Sequence, residues 1–459
     1  MGDFKLSNPL RNSNNLIFNS VKAFEYLKKL AIDIGSRNSG SINERKAAEY
    51  ISSEFKSIGL ETTIQEFDTI TGNIIKQSLE VIEPYKERIA CRANVFAGDT
   101  LPETLTADLI YIDDVKDEYI TKNLKGKIVL TKGFYRYGLE QFRNIGVLGV
   151  INIGRRRPEL SHGWGDPKLK EKYGPMPTVN ISYEDGVNMI KKMAKKVKLC
   201  VKTKVENVKS QNIIGDLIGS EQPDEIIIIG GHYDTVPDVP GASDNGAGTS
   251  IIMELARVFR KKGCSRTLRF IAWGCEESGC IGSTQDVLRM RRESEKIKRE
   301  NSNKTPELEK IRLVINIDVQ GAIVGSNNAA SMGPPELAAS VKTLTKEMGI
   351  AMDIPRRGPG ITDGVYSSDN TSYSSLGIPS LALIREGAGR HGHSIDDSIE
   401  WLNPQALSIT GEFLEKFITR YISEAKLFPF ERLIPEDAKK DLEKYFKSKM
   451  RTPPSQINL

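Results

Sequence analysis

Residues 225–229 read Glu-Ile-Ile-Ile-Ile, and a run that apolar reads as a strand covered on both faces. From about residue 206 onward the chain keeps returning to this pattern. Apolar strands are expected at 267–273, 312–318 and 379–385. Between the first two lies a helix over about 247–261, with Ile251, Ile252, Leu255, Val258 and Phe259 on one side. A closing helix starts at Asn403 as cap, with Pro404 in its first turn and Leu407, Leu414, Phe417 and Tyr421 as its stripe. Strand–helix alternation of this kind predicts an α/β fold: a mostly parallel sheet sandwiched by helices.

The flanking sequence differs. Residues 20–60 predict two helices; the second opens on Ser41 with Glu44 three residues on, a capping box, and stops at Gly59. Residues 78–205 alternate strand-like segments (108–113, 127–131) with glycine-rich turns and a short helix over 138–145. They predict a β-rich domain inserted into the α/β one. The expected domains are therefore 18–77 with 206–425, the insert 78–205, and a helical tail 426–459 packed on the outside. Residues 285–310 are about half charged and predict a solvated helix or loop.

Charge and cysteine usage narrow the function. The net charge of +5, from 65 basic and 60 acidic side chains, is thin for a chain of 459 residues, which argues against a nucleic-acid partner. Five cysteines with no CxxC pair argue against a disulfide framework or a zinc knuckle. No stretch reaches the roughly 20 apolar residues needed to cross a bilayer, and the first residues lack a signal-like apolar run. The expectation is a soluble, cytoplasmic protein with no membrane partner.

The chemistry gathers where the strands end. His232 and Asp234 follow the isoleucine run in Gly230-Gly-His-Tyr-Asp; Asp234 is placed to hold the second nitrogen of a metal-bound imidazole. Asp244 lies in Gly241-Ala-Ser-Asp-Asn-Gly-Ala-Gly, and its two oxygens suit bridging two cations. Glu276 and Glu277 follow the next strand; adjacent acids are costly to bury unless cations or protons neutralise them, and one can bind metal while the other stays free as a base. Asp318 ends a further strand, and His393 follows the last. Taken singly, these are an Asp- and Pro-rich turn, a helix cap and a solvated acidic loop. Together His232, Asp244, Glu277, Asp318 and His393 are five O or N donors from five strand-end loops, a set that suits zinc.

On these residues the sequence resembles the zinc aminopeptidase family that includes the bacterial leucyl aminopeptidases, aminopeptidase Y and glutamate carboxypeptidase, over about 18–425. Gly35-Ser-Arg and Ala47-Ala-Glu-Tyr-Ile fit it as well. Lys125-Gly-Lys-Ile-Val-Leu, Gly146-Val-Leu-Gly-Val-Ile-Asn and Pro177-Thr-Val-Asn-Ile-Ser-Tyr resemble the protease-associated domain that some members carry. The resemblance implies two zinc ions per chain bridged by Asp244, one adding His232 and Asp318, the other Glu277 and His393. It implies Glu276 as general base and Asp234 as the residue orienting His232. His391 is a rival for His393, but only His393 puts Ser394, Asp397 and Ser398 at the spacing of the family's last motif. Two departures weaken a carboxypeptidase reading: Gly392 stands where some carboxypeptidase-type members have tyrosine, and too little chain follows for their helical dimerisation domain.

Two Zn²⁺ against three carboxylates leave one positive charge, which a bridging hydroxide would neutralise. Zinc lowers the pKa of water to roughly 7. The expected activity is removal of N-terminal amino acids from peptides with a free N-terminus. The alternatives are a carboxypeptidase or dipeptidase on the same centre, a one-zinc glutaminyl cyclase, and a binding protein with a decayed site. Tyr366 and Tyr373 are candidates for stabilising an oxyanion, with a structural role open for each. Side-chain preference and oligomeric state are not encoded in these motifs.

Overall fold

The computed structural model describes residues 17–459 apart from 114, 116–119, 133–137, 155–159, 161–169, 173, 302, 356–360, 363, 388–391 and 450. His162 and the rival His391 lie outside the described residues.

The elements that matter follow in chain order. Helices α1 (Ser20–Lys28) and α2 (Ile42–Ser57) precede a 23-residue strand, β1 (Glu61–Glu83). Then come β2 (Leu105–Ile112), β3 (Ile128–Lys132), α3 (Leu139–Ile145), β4 (Gly149–Ile153), β5 (Thr178–Ile181) and α4 (Tyr183–Lys191). A second long strand, β6 (Lys196–Leu217), leads into β7 (Gln222–His232), α5 (Gly248–Lys262), β8 (Arg266–Trp273) and α6 (Ile281–Arg299). The rest comprises β9 (Ile311–Ile317), β10 (Gly325–Met332), α7 (Pro335–Met348), β11 (Ser380–Gly387), α8 (Pro404–Phe417) and α9 (Glu436–Ser448).

One continuous sheet runs β10-β11-β9-β7-β8-β6-β2-β3-β4-β5. Its centre, β11-β9-β7-β8, is parallel; β8 is buried throughout, β9 and β11 nearly so, and β7 from Ile226 onward. The flanks β10 and β6 run antiparallel to their neighbours. The sheet is thus mixed rather than mostly parallel: side-chain periodicity reports burial, not direction, and a hairpin-like ribbon carries no crossover signature. One face carries α1, α2, α5, α7 and α8 over a core that includes Ile227, Ile229, Phe270, Leu313, Leu383 and Phe417; the other carries α6 over Ile228, Trp273, Met290 and Tyr373. The charged stretch 285–310 accordingly contributes a helix with one buried side, Val287 and Met290.

β1 and β6 pair along nearly their whole length, Glu61 opposite Asp216 and Glu83 opposite Lys196. One half of this ribbon borders the parallel strands. The other half borders β2 to β5, which are parallel to one another and pack their own cores: Leu79, Val81, Ile151, Val197 and Leu199 on one side, Val129, Phe142 and Val150 on the other. Helices α3, where the short helix over 138–145 is expected, and α4 accompany these strands. The register of the ribbon shifts between Ile74 and Lys76, so Ile75 is a bulge residue, and 57% of it is exposed. No described helix is long and apolar enough to cross a membrane.

Candidate metal centre

Strands β7, β8, β9 and β11 all point their C-terminal ends the same way, and open α/β sheets place ligands there. His232 is the last residue of β7, Glu276 and Glu277 sit three and four residues past β8, and Asp318 follows β9 directly. Gly231 is needed for the first of these approaches: a Cβ there would lie 2.4 Å from the Ile317 carbonyl oxygen.

The five donors form two clusters with one member in common. His232 Nε2 is 3.1 Å from Asp318 Oδ1 and 3.2 Å from Asp244 Oδ1. His393 Nε2 is 3.0 Å from Glu277 Oε2 and 3.4 Å from Asp244 Oδ2. His232, Asp244 and Asp318 can converge on one point, and Asp244, Glu277 and His393 on another. Asp244 gives one oxygen to each. Of these donors only His393 is well reached by solvent, with 41% of its side chain exposed.

The donors are held by a dense network. Asp234 Oδ1 lies 3.4 Å from His232 Nδ1 and accepts a hydrogen bond from the Glu276 amide, while Oδ2 accepts from the Glu277 amide and the Ser39 hydroxyl. His232 Nδ1 also faces the Asp234 carbonyl oxygen at 3.2 Å, so Asp234 supports both the imidazole and the turn carrying the two glutamates. Asp397 accepts from the Ser243 and Asp244 amides at 2.8 and 3.0 Å; burial pushes it up to about 7. Arg37, fully buried, donates to the carbonyls of Tyr233, Leu30, Gly35, Pro240 and Gly241. It thereby clamps the segments after His232 and before Asp244. Cys275, Val319 and His393 take positive φ of 57°, 49° and 65°, a strained backbone that clusters at functional sites.

The electrostatics demand positive charge. Asp234, Asp244, Asp318 and Asp369 are buried, Glu277 nearly so, and Glu276 is half-buried beside them. Burial raises Glu276 and Glu277 above the usual carboxylate range, and their acidic neighbours add to it. Burial opposes charge on the imidazoles, yet Asp318 holds His232 and Glu277 holds His393 well above the ordinary value. Burial also opposes charge on Asp244, but His232 and His393 keep its carboxyl far below the usual range. Two imidazoles cannot balance six carboxylates. Glu277 Oε1 is buried with no hydrogen-bond partner among the described residues, which is the state of an oxygen kept for a cation. An all-oxygen-and-nitrogen donor set with a shared carboxylate fits a pair of zinc ions.

Several residues in this region carried no local sequence signal. Asp369 is fully buried and raised to about 7 by burial, against the pull of the Ser283 hydroxyl. Cys280 Sγ lies 3.2 Å from Glu276 Oε1, and Arg451 Nη1 lies 3.3 Å from Cys280 Sγ. The tail thus reaches the wall of the site instead of lying on the outside alone. Tyr373 is committed elsewhere: its hydroxyl donates to Asp286 and accepts from Trp273. Tyr366 packs its ring among Val319, Ile361, Ala382 and Ile384.

Residues 212–418 match peptidase family M28. The chain is 26% identical over 432 residues to aminopeptidase YwaD of Bacillus subtilis, an alignment covering 90% of this chain and 88% of that one. It is 25% identical to human carboxypeptidase Q over 58% of this chain and 60% of that one. Among solved structures, a zinc aminopeptidase from Bacillus subtilis superposes with a TM-score of 0.70 at 25% identity, covering 91% of this chain and 99% of that one.

Proposed function

We propose that the chain is a zinc aminopeptidase with two co-catalytic ions acting on peptides, a reading supported by the match of residues 212–418 to peptidase family M28 and by the likeness to aminopeptidase YwaD and a zinc aminopeptidase structure. The observation that carries this reading is Asp244, whose two oxygens face His232 and His393 separately. In it, His232, Asp244 and Asp318 would hold one zinc and Asp244, Glu277 and His393 the other. When bound, the pair would polarise the scissile carbonyl and acidify water.

The remaining roles belong to the protein. Glu276 would accept the proton of the attacking water and return it to the leaving amine. Burial suits it to that work by raising its affinity for a proton. Asp234 holds Glu276 through its amide and His232 through Nδ1, so acid–base group and metal ligand share one support. Asp397 and Arg37 keep the Asp244 segment in place.

Amino-terminal specificity is supported by the likeness to aminopeptidase YwaD along nearly the whole chain. It is also supported by Gly392, because a Cβ at this position would press on Asp244 Oδ2 at 3.2 Å, leaving little room for the tyrosine of the carboxypeptidase-type pattern. Residues 78–205 are read as an inserted protease-associated domain on the strength of their separate cores.

The test is mass-spectrometric product analysis of one peptide offered with a free or an acetylated N-terminus. Stepwise loss from the free N-terminus alone is expected. Trimming of both peptides from the C-terminus would replace the reading with a carboxypeptidase, and cleavage of neither would remove it.

A further inference from the structure

The tail residue Arg451 has no part in the reactions above, yet the fold goes to some length to place it. Helix α9 is anchored by Leu442, Tyr445 and Phe446 against Met332, Val365 and Ile434. Beyond α9 the chain turns back, the Arg451 amide donating to the Phe446 carbonyl. Arg291 on α6 then pins the last residues by donating to the carbonyls of Pro454 and Ile457. Arg451 is held from both sides.

What it is held against is unusual for a guanidinium. Both of its side-chain hydrogen bonds leave from Nη1, to Cys280 Sγ and Tyr445 Oη, each 3.3 Å. Neither partner is a carboxylate, and among the described residues no acid forms an ion pair with it. Removing a cation from water without a carboxylate in direct contact is costly, and Glu276 acts on Arg451 only across Cys280. Its position is next to the reaction: Cys280 Sγ touches Arg451 on one side and Glu276 Oε1, at 3.2 Å, on the other. Among the described residues its Nε and Nη2 edge makes no hydrogen bond, and the side chain keeps part of its surface open. That edge presents two parallel N–H groups at the spacing of the two oxygens of a carboxylate.

We propose that Arg451 is a specificity-determining residue that receives a carboxylate of the peptide substrate beside Glu276. The carboxylate comes either from an acidic side chain next to the scissile bond or from the C-terminus of a very short peptide. The inference rests on the reading above in one respect, that the peptide lies against Glu276. It goes beyond it in naming the class of substrate the site favours: acidic or very short peptides.

The experiment compares matched pairs on the zinc-loaded full chain by kcat/KM: a tripeptide amide starting with Glu against the same starting with Gln, and Leu-Ala against Leu-Ala-amide. A preference for the acid of about tenfold or more is expected in one pair, carried by KM, as a charge-assisted bidentate contact would give. Arg451→Gln should bring that ratio to about one, and Arg451→Lys should restore part of it, because a point charge keeps attraction without the fork. The first pair responding identifies the side chain, the second the C-terminus. Equal rates for both members of both pairs in the unmodified protein, or a ratio that survives Arg451→Gln, would overturn the proposal. So would an equal loss on acid and amide, which is what a purely structural arginine gives. The same four peptides are titrated calorimetrically into Glu276→Gln protein with and without Arg451→Gln. This binding ratio still decides the matter where no peptide is cut, an outcome that would defeat the aminopeptidase reading alone.

Discussion

Replacing Glu276 by Gln removes the proton-accepting oxygen while leaving the side chain's volume and its Cys280 contact in place. Turnover should fall by about a hundredfold or more, the usual contribution of a positioned acid–base group. Metal content, read by mass spectrometry of the dialysed protein, should be unchanged. His232→Ala is expected to behave oppositely. It removes the sole nitrogen from the cluster of His232, Asp244 and Asp318, so metal content should drop to about one ion per chain. Asp244→Asn weakens both clusters at once and should lose more metal than either histidine variant. Retention of two ions in His232→Ala would contradict the ligand set. The residues in these predictions were legible in the sequence because each stands within a few positions of an apolar strand and a glycine turn. Arg37 and Arg451 were not, because their meaning lies in contacts 196 and 171 residues away along the chain. Nothing local separates a clamp on five carbonyls, or a guanidinium without an acid, from an ordinary surface arginine.

Helix α2 shows the same divide among elements. Ser41 caps it as the spacing predicts, its hydroxyl accepting from the Glu44 amide. The Glu44 carboxylate, however, does not return to the Ser41 amide. It accepts from the Gly40 amide and binds the Ser210 hydroxyl, so the box is only half closed and the acid is drawn inside. Burial pushes Glu44 up from 4.5 to about 8, against the pull of its hydrogen bonds. The fold prefers the neutral acid. Its contribution to stability is whole below about pH 4.5 and is lost as pH rises through about 8. Glu44→Gln imitates the neutral form, so it should flatten this part of the pH dependence and be the more stable protein above pH 8. Denaturant titrations of both proteins below and above that pH check it, and parallel profiles would count against it. The helices and buried strands were readable from periodicity. The antiparallel flanks of the sheet were not, since a two-residue repeat looks the same in either direction.

At the scale of the whole molecule, strand β6 gives residues to two cores: Ile213 to that of the parallel sheet, and Val197, Leu199 and Val201 to that of residues 78–205, where its partner β1 adds Leu79 and Val81. Division at 78 and 205 therefore cuts through continuous ladders rather than linkers. Leu199→Ala should cost about 2–5 kcal/mol as a large-to-small core change. Because the ladder is shared, calorimetry should show one unfolding transition moved as a whole. Two transitions, with only one displaced, would mean that the halves melt independently. The bulge at Ile75 has a consequence for how such a chain can be altered. It sets the phase between the two stretches of the ribbon, so an exchange of the 78–205 region with that of a relative is a problem of parity as much as of length. A splice that adds or drops one residue on a single strand would turn Glu80 inward where Leu79 and Val81 now pack. Only matched, even-numbered changes on both strands keep the two faces in step, and viable chimaeras should be confined to those.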